Sequence, residues 1–131
     1  MANKKVLVVD DEIHIVHVVA IKLRNNGFEV ITAANGSEAF ESACAEKPDI
    51  IVSDYQMPVM NGLELIEKIR QTESLKDIPV ILLTARSFGI DDELKQQLQI
   101  SQCLSKPFSP KELLRDIEDI LHQTSVMQHS A

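Results

Sequence analysis

Ile50-Ile-Val-Ser-Asp54-Tyr-Gln-Met57-Pro58-Val-Met-Asn61-Gly62 is the stretch on which the reading of this chain turns. Ile50 to Ser53 form a continuous apolar run with one small polar residue, closed by Asp54 and a Pro turn, and a helix start follows at Asn61-Gly62. A run of this kind, apolar at consecutive positions, predicts a strand covered on both faces, as in parallel α/β sheets. Ligands of such sheets gather outside the carboxyl ends of the strands. Asp54 therefore stands where chemistry usually occurs, although a lone Asp after a strand is most often a turn residue or a helix cap. The other strand exits decide between these readings.

Working outward, Val6-Leu-Val-Val9 repeats the buried-strand pattern and runs into Asp10-Asp11-Glu12. A helix is predicted next, with an apolar stripe at Ile13, Val16, Ala20 and Leu23; Ile15, Val18, Val19 and Ile21 add apolar surface beyond that stripe, which suits an interface. Gly27 fits a left-handed helix end, and Glu29 to Ala33 read as the second strand. Asn35-Gly-Ser-Glu38 and Asn61-Gly-Leu-Glu64 share a capping pattern, each launching a helix: one through Cys44 up to Pro48, the other with Leu65, Ile66 and Ile69 as its apolar face and a polar end at 71–74. Val80 to Leu83 form the fourth strand, with Thr84-Ala85 at its exit. The next helix has a thin stripe of Ile90, Leu94 and Leu98 and a loosening Gly89, features of a labile element. Gln102 to Ser105 are plausible as a strand only at a sheet edge. Lys106-Pro107-Phe108 then turns the chain, and Ser109-Pro-Lys-Glu112 supplies a third cap with Pro110 at the first helical position. The last helix packs Leu113, Leu114, Ile117, Ile120 and Leu121, and a polar tail is expected to fray over 123–131.

Five strands alternating with five helices predict an α/β fold with a doubly wound parallel sheet. The 131 residues suffice for one core. No apolar run approaches the roughly 20 residues of a membrane helix, and the start does not resemble a signal peptide, so a cytoplasmic location is expected. A formal net charge of −7 argues against a nucleic-acid-binding surface. Cys44 and Cys103 lack metal-type spacing and read as reduced, packed thiols. His14 and His17, three apart on a helix, lack a third ligand candidate nearby and read as ordinary surface or half-buried histidines.

The doubly wound reading gathers Asp10, Asp11, Asp54, Thr84 and Lys106 at the carboxyl ends of the strands or just beyond. Crowded carboxylates either take up protons or hold a cation. All-oxygen donors favour a hard ion, and Mg2+, which keeps several waters while using a few carboxylates, suits them. A metal, an ammonium and a hydroxyl around one carboxylate are the parts that phosphoryl transfer requires, and a carboxylate can itself be the nucleophile. Asp54, central among them, is the candidate acceptor.

With these residues in hand, Asp10-Asp11, Asp54 with Met57-Pro58 and Asn61-Gly62, Thr84-Ala85 and Lys106-Pro107 resemble the receiver domain of two-component response regulators, over residues 4 to 122. The resemblance, closest to stand-alone chemotaxis-type receivers, implies a flavodoxin-like fold with strand order 2-1-3-4-5. It implies Asp54 as phosphoryl acceptor, and Asp10, Asp11, Asp54 and the backbone carbonyl of Gln56 as Mg2+ ligands. Thr84 and Lys106 would contact the phosphoryl oxygens, and the Lys106-Pro107 bond would be cis. The implied protein takes its phosphoryl group from a sensor histidine kinase or a histidine phosphotransfer domain and changes its affinity for a partner protein. It catalyses only its own phosphorylation and dephosphorylation, so it is not an enzyme toward outside substrates.

Two positions depart from the family pattern. Cys103 stands three before the lysine, where many receivers have an aromatic residue, and Gln99-Ile100 stands where a glycine is favoured near the end of the fourth helix. Two other readings use the same residues. A Mg2+-dependent phosphatase or transferase acting through Asp54 would need a second acid-base carboxylate and a cap over its substrate, and no insertion is long enough for a cap. A receiver fold that signals without phosphorylation would not need the intact acidic set.

Overall fold

A computed structural model describes residues 3–85 and 91–129, with side chains described as far as Gln123. Its elements follow in the order β1 (Lys5–Val9), α1 (Ile13–Arg24), β2 (Glu29–Ala33), α2 (Gly36–Glu46), β3 (Ile50–Asp54), α3 (Gly62–Arg70), β4 (Val80–Thr84), α4 (Asp92–Gln97), β5 (Ile100–Ser105) and α5 (Pro110–His129). The five strands are all parallel in the order β2-β1-β3-β4-β5. Gly89 and Ile90, expected at the start of the fourth helix, lie outside the described residues. Among the described residues no helix is long and apolar enough to cross a membrane.

Consecutive strand residues point to opposite faces, and helices cover both. Leu7, Ile51 and Leu82 pack with Ala39 and Ala43 of α2 and with Leu65, Ile66 and Ile69 of α3. Val8, Ile50, Val52 and Ile81 pack on the other face with Val19 and Leu23 of α1 and Leu113 and Ile117 of α5. The continuous apolar runs of β3 and β4 are thus explained: all five residues of each strand are buried. The caps fall where the sequence places them. Asn35 Oδ1 accepts from the Glu38 amide at 2.9 Å, and Asn61 and Glu64 form a complete capping box. Pro110 opens α5, with the Ser109 hydroxyl accepting from the Lys111 amide at 3.2 Å.

Four local expectations change. The buried side of α1 is Val19, Ala20 and Leu23, with Ile15 packed behind them, while Ile13 is 64% exposed. Apolar residues run round most of this helix, so sequence periodicity admits more than one face, and packing against β1 and α5 selects one. Cys44 is exposed on α2 instead of packed; Cys103 is half-buried, and both are free thiols. Strand β5 begins at Ile100, two residues earlier than expected, with a register shift opposite Val80–Ile81. It is an edge strand, as its composition requires. Finally, α5 continues to His129, beyond the point where the polar tail was expected to begin.

The short α4 has no buried residue within its helical span. Gln99, just beyond it, takes φ +54, so a side chain that rarely adopts the left-handed conformation does the work of the usual glycine. Arg70 supports this turn. Its Nε donates to the Leu98 carbonyl at 2.8 Å and Nη2 to Gln99 at 3.1 Å, while Nη1 donates to Lys76 at 2.9 Å and Ile78 at 2.7 Å. One planar guanidinium thereby ties the end of α4 to the connection between α3 and β4.

Arg70→Ala is expected to lose about 2–4 kcal/mol of stability in urea denaturation, since hydrogen bonds from a charged donor contribute most and the partly buried carbonyls lose their partner. Arg70→Lys should recover little of it, because a point ammonium cannot span carbonyls on two separate segments. Faster amide exchange at 98–100 in both variants would locate the effect.

Candidate functional site

Because all strands run the same way, β1, β3 and β4 deliver Asp10, Asp54 and Thr84 to one end of the sheet, where β5 delivers Lys106. Asp10, Asp54 and Thr84 are buried and Asp11 is exposed. One oxygen from each of Asp10, Asp11 and Asp54 lies within 4.8 Å of the others, the one such grouping of potential metal ligands among the described residues. Lys106 Nζ donates to Asp10 Oδ2 at 3.0 Å and sits 3.3 Å from Asp54 Oδ1. Its backbone amide donates to the Thr84 carbonyl at 2.7 Å, and the Lys106-Pro107 bond is cis. Gln56 lines the cleft that holds Asp11, Asp54 and Lys106. Every residue singled out from the sequence is therefore found at this one end of the sheet.

Sequence reasoning assigned no role to Glu12. Its Oε1 lies 3.4 Å from Lys106 Nζ, and its amide donates to Asp10 Oδ1 at 2.9 Å. The signal available was its place directly after Asp10-Asp11 at a strand exit, which the helix-start reading absorbed.

The backbone after Asp54 is equally constrained. The Tyr55 carbonyl accepts from the Gly62 amide at 2.8 Å, and a Cβ on Gly62 would stand 2.5 Å from the Asp54 carbonyl oxygen. Only glycine lets α3 start this close to the end of β3. Between them, Val59 holds φ +73, a costly conformation for a β-branched residue, with its side chain 83% exposed.

Burial raises the Asp54 carboxyl to about 6, with the negative charge of Asp10 adding to the shift and Lys106 opposing it. Burial also raises Asp10, against the Glu12 amide and Lys106. Burial works to lower Lys106, but its pairing with Asp10 and Asp54 outweighs that and leaves it above its ordinary value. At neutral pH Asp54 is therefore mostly ionised, facing the Lys106 cation. The Thr84 hydroxyl is buried and has no hydrogen-bond partner among the described residues. An unpaired buried donor at the end of β4, the strand next to the one that carries Asp54, is a ready contact for an anionic oxygen. The all-oxygen donor set of Asp10, Asp11 and Asp54 fits a hard divalent cation.

The sequence profile described as "Response regulator receiver domain" matches residues 6–118. The chain is 38% identical over 129 residues to the alkaline phosphatase synthesis transcriptional regulatory protein PhoP of Bacillus subtilis, covering 98% of this chain and 53% of that protein. It is 36% identical to the phosphate regulon transcriptional regulatory protein PhoB of Pseudomonas aeruginosa, covering 95% of this chain and 54% of that one. The chain thus spans about half the length of these curated relatives. Both relatives are named as transcriptional regulators, so the acidic net charge of this chain is not an argument against a nucleic-acid partner. Among solved structures, chemotaxis protein CheY4 of Vibrio cholerae superposes with a TM-score of 0.84 at 36% identity, covering 90% of this chain and 98% of that one.

The raised Asp54 pKa has a consequence for stability. The folded protein binds a proton at Asp54 that the unfolded chain, near the ordinary carboxylate value of 3.8, has already released, so stability contributed by this group falls as pH rises from about 4 to about 6. Asp54→Asn should therefore be more stable than the wild type at pH 7.5 in EDTA, by about 2–3 kcal/mol. The difference should shrink toward zero near pH 4, as paired thermal melts across that range would show.

Proposed function

Since the chain belongs to the receiver-domain family of response regulators, we propose that it accepts a phosphoryl group on Asp54 from a histidine kinase or a histidine phosphotransfer domain, with Mg2+, and thereby changes its affinity for a partner protein. The observation that carries this reading is Lys106 Nζ held between the carboxylates of Asp10 and Asp54. The ionised Asp54 oxygen attacks phosphorus, the O–P bond forms as the N–P bond of the donor phosphohistidine breaks, and the leaving imidazole keeps its electron pair and takes a proton from solvent. Lys106 and Thr84 receive the phosphoryl oxygens, so charge neutralisation is in place before the group arrives. Asp10, Asp11, Asp54 and the Gln56 carbonyl would hold Mg2+, which when bound neutralises the carboxylates and the incoming oxygens.

A protein donor has a surface to rest on. An apolar groove lined by Ile15, Val18, Val19 and Phe108 shares Glu12, Ala85 and Lys106 with the acidic cleft. Its α1 wall continues into exposed Val18 and Ile21. The extra apolar surface of α1 thus lies beside the acceptor, where a helix presenting a phosphohistidine would dock.

Incubation with acetyl phosphate and Mg2+ should add one phosphoryl group by intact mass. EDTA or Asp54→Asn should abolish the addition, and a product that persists in Asp54→Asn would sink the assignment. Val18→Glu should leave the acetyl phosphate reaction unchanged and slow transfer from a phosphorylated histidine phosphotransfer domain by at least about tenfold, the loss expected when a charge enters an apolar contact.

A further inference from the structure

Glu12 stands at the boundary between the acidic cleft and the apolar groove and lines both. It occupies the N-cap position of α1, yet its side chain makes no capping hydrogen bond. The carboxylate instead reaches Lys106 at 3.4 Å, which places three carboxylates around one ammonium, with Asp10 at 3.0 Å and Asp54 at 3.3 Å. Asp10 and Asp54 are buried, and either could hold Lys106 in place without help. The side chain of Glu12 is 61% exposed and makes the longest of the three contacts, so it adds little to positioning and competes for the same cation.

We propose that Glu12 acts through Lys106: it draws part of the ammonium's charge away from the acceptor and sets how fast anionic phosphodonors phosphorylate Asp54. This rests on the phosphoacceptor reading given above. An incoming phosphoryl group needs Lys106 for its own oxygens, so the Glu12 contact must loosen as the group arrives. Its negative charge at the mouth of the cleft also repels an anionic donor. Both effects have the same sign. Neutralising Glu12 therefore speeds phosphorylation, and because the pair is solvent-exposed the gain is modest and screened by salt.

The test compares wild type with Glu12→Gln, which keeps the shape of the side chain and disturbs no capping bond. With acetyl phosphate and saturating Mg2+ at low ionic strength, Glu12→Gln should be phosphorylated about two- to fivefold faster, the range expected for an exposed ion pair. The gap should close as KCl is raised toward 1 M. Lys106 side-chain resonances, followed by NMR in selectively labelled protein without any phosphodonor, should shift in Glu12→Gln. Equal rates, a slower variant, or an acceleration indifferent to salt would each overturn the proposal, since a purely structural role for Glu12 predicts no salt-dependent gain. If the wild type itself gains no phosphoryl group, the receiver reading fails instead. The NMR comparison then decides alone, and unmoved Lys106 resonances would refute the pairing.

Discussion

The contact between Lys106 and the carboxylates of Asp10 and Asp54 is what lets a parallel sheet carry so much negative charge at one end. A parallel sheet with right-handed crossovers sends every strand's exit to the same side. Placing an acid at two of those exits buries like charges near each other, a costly arrangement unless a cation is brought in. Here the cation comes from β5, an edge strand with only β4 beside it. One long side chain therefore does two things. It lowers the cost of the acidic cluster, and it ties a weakly specified edge strand to the two central ones through residues far apart in sequence.

That division explains what could be read from the sequence. The strands at the middle of the sheet announce themselves because both faces are covered, so Val6–Val9, Ile50–Val52 and Val80–Leu83 show as unbroken apolar runs. The caps at Asn35 and Asn61 are local chemistry, contained within four consecutive residues. The site was legible for the same reason: its acids and lysine sit directly after strands, and topology alone gathers them. What escaped was set by contacts between segments. Which face of α1 turns inward depends on α5, and nothing in the α1 sequence distinguishes Val16 from Val19. Arg70 reads as the basic last turn of a helix, and its role appears only once Leu98 and Ile78 are brought beside it. Glu12 drew no role from the sequence, because its contact with Lys106 joins segments far apart in the chain.

The two departures from the family pattern have different physical weight. Gln99 keeps the left-handed turn that glycine would supply, at the cost of a side chain in a sparsely populated conformation, with Arg70 holding the adjacent carbonyl. The geometry of the turn is preserved. Cys103 is another matter. It faces the α2–α4 side of the sheet beside Leu82, and burial raises its thiol against a weaker opposing effect of Lys95. A compact side chain fills space there without the reach of an aromatic ring.

A signal leaving this site must then travel through parts of the fold that are poorly held. Central strands β3 and β4 are fully buried and close-packed, which makes them stiff supports and poor moving parts. Helix α4 has no buried residue in its span, and Arg70 grips it at its C-terminal end. An element clasped at one end and lightly packed along its length can pivot about the clasp with little loss of core contacts. The Thr84 hydroxyl, which has no partner among the described residues, ends the strand that precedes this helix. Under the proposed function, drawing that hydroxyl toward a phosphoryl oxygen would shift the end of β4, and the lightly packed α4 would be the element that yields at least cost.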